Sequence, residues 1–192
     1  MTYVKASVRR PAGNPGNGIQ PKDQLVIYDV DDILSFPPRN DAGVVIEEDI
    51  VMKAGRYAIG IYLTPGTAEI SSNSDGKTDA EGYTPSIKFN HPGNEQEIRE
   101  FKTNWLSKKC IVVLRYCSGK PADLIGTPCN PCKLSVSYTG SNESNTNELT
   151  FTQISKGDDI AIYRGTDTLE EPVAVVEAGA TDIDYQTDGQ YQ

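Results

Sequence analysis

The stretch KLSVSYTGSNESNTNELTFTQISKGDDIAIYRG, residues 133–165, decides the fold. In its first six residues Leu134, Val136 and Tyr138 fall on one side of an extended chain and Lys133, Ser135 and Ser137 on the other, because successive strand side chains point to opposite faces. That alternation marks an antiparallel sheet with one face buried. LTFTQI (149–154) repeats it with Leu149 and Phe151. The intervening TGSNESNTNE (139–148) is polar and turn-forming, which predicts a hairpin with a long exposed tip. SKGDD then leads into a third run, DIAIYRG, at 159–165.

Working outward, further β-branched and aromatic runs bounded by Gly, Pro, Asn and Asp occur at 24–30 (QLVIYDV), 44–52 (VVIEEDIVM), 57–63 (YAIGIYL), 85–90 (PSIKFN), 110–116 (CIVVLRY) and 173–178 (VAVVEA). Together these strands suffice for two packed sheets. Residues 64–84 form a long polar insertion between good strands; TAEISS (67–72) within it can pair as an edge ribbon, which makes the insertion an extended hairpin.

One segment breaks the period of two. In NEQEIREFKTNWLS, from Asn94, the residues Ile98, Phe101, Trp105 and Leu106 recur at helical spacing, which predicts one amphipathic helix over about 94–107 with these four as core anchors. Asn94 is the expected N-cap, with Glu97 as its capping-box partner. The fold class is thus mainly β: an antiparallel β-sandwich or barrel with one flanking helix.

Charge narrows the function. The chain has 192 residues and a net charge of −9, with a pI near 4.6, which disfavours a broad basic face for nucleic acid. Its longest apolar stretches, 111–114 and 173–176, are far short of a membrane span, and the N-terminal residues lack the apolar core of an export signal. With a single histidine, His91, Ser-His and multi-His chemistries lose their main ingredient, and no enzyme is predicted.

Other groupings carry little chemistry. Cys110, Cys117, Cys129 and Cys132 cluster in sequence and include a C-x-x-C, but prolines flank it and it runs into a strand rather than a helix, unlike a redox motif. As zinc ligands the four are handicapped by the wide C-x6-C spacing; small buried hydrophobes are the ordinary reading. The acidic groups at 29–32, 47–49 and 158–159 lack calcium-loop spacing and read as solvated strand edges. No phosphate-binding glycine motif occurs, so no cofactor is expected.

The ends differ in sign. Residues 1–22 carry Lys5, Arg9, Arg10 and Lys22 with no acid and read as a flexible basic arm; 166–192 hold seven acids and no base and read as an acidic extension. Residues 23–165 form the β domain between them. Either the ends are simply solvated, or the arm of one subunit docks on an acidic surface of a neighbour.

This order of elements, with the helix ending in NWLSKK and the closing LTFTQISKGDDIAIYRG, resembles the tail tube proteins of long-tailed bacteriophages, which are related to the tubes of contractile injection systems. The resemblance covers about 44–165; the cysteine cluster and the acidic extension depart from it. It implies a structural virion protein of the phage tail, assembled in the host cytoplasm. Hexameric rings would stack into a tube with an acidic lumen, with tape measure and terminator proteins as partners and DNA passing without specific binding. Arg9, Arg10 and the insertion residues Asp75, Lys77, Glu81 and Tyr83 are then candidates for subunit contact. The alternative is a carbohydrate-binding or adhesion module, suggested by ten tyrosines and polar loops.

Overall fold

The structure, a computed structural model, describes residues 5–13, 16–117 and 119–169. In chain order the elements are β1 (Pro21–Asp29), β2 (Ile33–Ser35), β3 (Val45–Ile46), β4 (Val51–Met52), β5 (Ile59–Tyr62), β6 (Glu69–Asp75), β7 (Gly82–Pro92), α1 (Gln96–Trp105), β8 (Cys110–Tyr116), β9 (Ala122–Ile125), β10 (Cys132–Gly140), β11 (Asn145–Gln153) and β12 (Ala161–Tyr163). The fold is mainly β, with a single α-helix among the described residues, as expected.

Two layers share one sheet. One runs β10-β11-β7-β6, antiparallel throughout; the other runs β5-β1-β8-β9-β12-β3, antiparallel except for the parallel β12-β3 pair. They meet at a corner where Cys132 of β10 pairs with Cys110 of β8. Residues 64–67 bridge the opposite side, Thr64 donating its N–H to the Asn90 carbonyl.

β1 and β8 are apolar on both faces because both are covered. Leu25, Ile27, Val112 and Leu114 face the first layer and join Ile87, Phe89, Leu149 and Phe151 in one core. Val26, Tyr28, Ile111 and Val113 face the other way, into a second core closed by Ile46, Ile50, Ala161 and Tyr163. Continuous hydrophobic runs are what a strand buried on both sides requires.

The helix plugs the first core with Ile98, while Phe101 and Trp105 pack against it half-buried, their rings stacked at 5.7 Å. Leu106 is not a core anchor: it caps the C-terminus and is 54% exposed. At about 100° per residue it lies well round the helix from Phe101, off the buried stripe. Helix bounds are also tighter than expected. The N-cap is Glu95, with no side-chain cap bond; Asn94 instead accepts a hydrogen bond from Lys102 Nζ at 2.8 Å.

Other expectations change. The 139–148 tip shrinks to a short turn, because β10 and β11 pair without a break as far as Gly140 and Asn145. Residues 44–52 are not one strand but β3 and β4, separated by the acidic turn Glu47 to Asp49. The insertion is largely the β6-β7 hairpin. Thr166 to Leu169 belong to the domain rather than to a separate extension: Leu169 bridges Ala58, and Asp167, with a side chain 6% exposed, pairs with Arg115. The strand expected at 173–178 and the rest of the acidic extension lie outside the described residues.

Candidate functional site

The first layer, β10-β11-β7-β6, has borders left open among the described residues. β6 pairs with β7 from Glu69↔Lys88 to Asp75↔Gly82 with no register shift, and no other strand reaches its far side among the described residues. β10 touches β8 only at Cys132; from Lys133 to Gly140 its far side is equally unpartnered among the described residues. A strand edge of this kind presents a row of free N–H and C=O groups. Native monomers blunt such edges with bulges, prolines or central charges. β6 has none of these: its centre is Ser71-Ser72-Asn73-Ser74, with charges only at its ends.

By contrast, the borders of the second layer are closed or short. Asn40 covers β3, its backbone N–H donating to Val45 O and its side-chain oxygen accepting from Val44 and Val45. β5 spans four residues, and Leu169 already pairs beside it at Ala58.

The face of the first layer turned away from the core follows from the strand register. It carries Ser135, Ser137 and Thr139 on β10, Thr146, Thr150 and Thr152 on β11, Thr84 and Ser86 on β7, and Ser71 on β6, with no large apolar side chain. Ser71 and Ser86 hydroxyls share a hydrogen bond of 3.0 Å. Its charges are matched: Lys88 pairs with Glu69 at 3.3 Å, Asp75 pairs with Lys156 at 3.0 Å, and Lys133 offsets Glu148. The Lys156 ammonium is the main reason the Asp75 carboxyl titrates below its ordinary range.

The structure places the candidate contact residues unevenly. Asp75 ends β6, Lys77 and Glu81 sit exposed in the 76–81 tip, and Tyr83, 41% exposed, is held by paired backbone hydrogen bonds with Gly157. Gly76 makes the tip possible: its φ is 151°, and a Cβ there would lie 2.3 Å from the Ala80 carbonyl. Arg9 and Arg10 are exposed, in residues without regular secondary structure. The border of β10 was not among the candidates. Its signal was present in the KLSVSY alternation, but a sequence does not show which strand end lacks a neighbour.

The four cysteines do not converge. Cys110 and Cys132 are buried side by side, Cys110 donating its thiol to the Cys132 carbonyl at 3.4 Å, while Cys117 and Cys129 are exposed. Burial pushes the Cys110 thiol up to about 12 and raises Cys132 as well, so neither is a ready thiolate. Among the described residues no group of three or more His, Cys, Asp or Glu side chains is placed to hold a metal ion. Nor is the 29–32 cluster a plain solvated edge: Asp29 is buried, accepting from Asp31 N–H and paired with Lys108.

Among the described residues no helix is long and apolar enough to cross a membrane. No known family model matches the chain, and no curated protein or solved structure is significantly similar to it.

Proposed function

We propose that this protein is a self-assembling structural subunit of the phage tail tube type, whose copies join edge to edge into rings that stack as a hollow conduit for DNA. One observation carries the reading: among the described residues the first layer has two open borders of similar length and opposite direction. β10, β11, β7 and β6 alternate in direction, so when a second copy is placed beside the first by rotation about an axis along the strands, its β10 runs antiparallel to the first copy's β6. The seven residues of β6 then face the Lys133 to Gly140 border, and the sheet continues without a change of pattern.

Such contacts are heterologous and close into a ring if the rotation divides a full turn. With the six copies implied by the resemblance, strands about 4.8 Å apart and tilted by about 40° make a closed barrel on the order of 50 Å across its backbone. The virion tail, with tape measure and terminator proteins as partners, is the setting this reading assigns. Sedimentation velocity and negative-stain microscopy over a concentration series test it: rings or tubes of one diameter are expected, and a monomer at all concentrations refutes it.

A further inference from the structure

Resting on the ring reading above, we infer that the Ser/Thr-rich face of the first layer lines the bore and gives it a nearly neutral, hydroxylated wall rather than a carboxylate-rich one. Sterics choose the face. The two cores, the second layer and α1 all lie on the opposite side of this layer, so a sheet closed through its borders must curve with that bulk on the convex side. The thin, polar side is left concave.

Chemistry agrees. Every residue position pointing to that side is polar apart from Gly82 and Pro92, which is unusual for the outer face of a sheet with a surface role in apolar contact, and no position there is buried. The net charge of −9 is carried elsewhere: seven acids lie beyond residue 166, and on the face itself Lys88 and Lys156 hold Glu69 and Asp75 in ion pairs. A wall of short hydroxyls, with its three lysines equalled in number by Glu69, Asp75 and Glu148, keeps a hydration layer and offers a passing polyanion little net charge to bind or to oppose it. This differs from the acidic lumen that the resemblance to tail tube proteins implies.

Thiol accessibility tests the assignment in the full-length chain. In a background with the exposed thiols removed (Cys117→Ser, Cys129→Ser), Ser135→Cys reports on the face and Thr103→Cys, on the exposed side of α1, reports on the outside. A polymer-linked maleimide is expected to label both equally in the dissociated subunit. After assembly it should label Thr103→Cys unchanged and Ser135→Cys at least about tenfold more slowly. Small cationic and anionic methanethiosulfonates should then react at Ser135→Cys in a ratio within about threefold of the ratio in the free subunit, because a neutral wall concentrates neither. Equal polymer labelling in assembled tubes overturns the choice of face while leaving the ring reading intact; a cationic preference raised about tenfold or more overturns the neutral wall. Failure of the chain to assemble at all overturns both.

Discussion

Trp105 and Leu106, neighbours in sequence, have opposite fates. Trp105 stacks on Phe101, carries Lys108 5.3 Å above its ring and packs against the first core, so Trp105→Ala is expected to destabilise by about 2–3 kcal/mol in urea unfolding followed by circular dichroism. Leu106→Ala is expected to fall within about 0.5 kcal/mol of the parent. Spacing alone placed both on one stripe; what separates them is the rotation of about 100° per residue, which turns Leu106, at the C-cap, away from the core that Trp105 packs against. The buried thiols carry a pH signature. Cys110 keeps its proton to about 12 in the fold through burial, whereas the unfolded chain releases it near the ordinary value of 9.0. The fold therefore binds the extra proton, and its contribution is complete below about pH 9 and lost as pH rises towards 12. Lys108, raised chiefly by its hydrogen bond to Asp29, adds a loss of the same sign at higher pH. Urea midpoints should fall between pH 9 and 11, less steeply in Cys110→Ala; a flat profile in the parent contradicts this.

At the level of elements, the turn of the β6-β7 hairpin depends on one backbone. Gly76→Ala puts a methyl group against the Ala80 carbonyl at a φ that side chains avoid, so the tip must rearrange. Fast amide exchange is expected to spread from residues 76–81 into β6 while β8 stays protected, and unchanged protection of β6 contradicts it. A second element is the 165–169 segment, clamped by Asp167 against Arg115 and Tyr28 and by Thr166 against Asp49. Arg115→Met leaves a buried carboxylate without its cation and is expected to cost about 2–4 kcal/mol, with partial recovery in Arg115→Met/Asp167→Leu, read by thermal unfolding. Both elements show how far sequence carries. Period-two runs at 24–30, 85–90, 110–116, 133–138 and 149–154 located the strands of both layers well, because each buries a full face. VVIEEDIVM misled because its two core residues do not sit on one strand: Ile46 enters the second core from the end of β3 and Ile50 from beyond the bend, while Asp49 is occupied by Thr166. β9, only four residues long, and β2 were too short for periodicity to announce.

For the whole molecule, a layer whose two outer strands have largely unpartnered far sides among the described residues and no charge at their centres is a poor design for a monomer and a good one for a ring. Charge placement tests this at the borders themselves. Asn73 of β6 and Ser137 of β10 lie on the same face of the layer, so they approach one another across the proposed junction. Asn73→Lys/Ser137→Lys is expected to raise the concentration needed for assembly several-fold, and Asn73→Lys/Ser137→Glu to restore it, since like charges on adjoining strands repel and opposite ones attract by about 0.2–1 kcal/mol per contact. Most of this was legible only in part: alternation in KLSVSY and LTFTQI revealed the polar face, whereas the open borders depend on which strands the rest of the chain fails to reach. The most direct measurement is an electron cryo-microscopy map of the assembled protein at a resolution that separates strands. It is expected to trace unbroken antiparallel density from β6 of each copy into β10 of the next, with Ser135 and Ser137 pointing to the axis. Assemblies held by other surfaces, with both borders in solvent, would contradict the account.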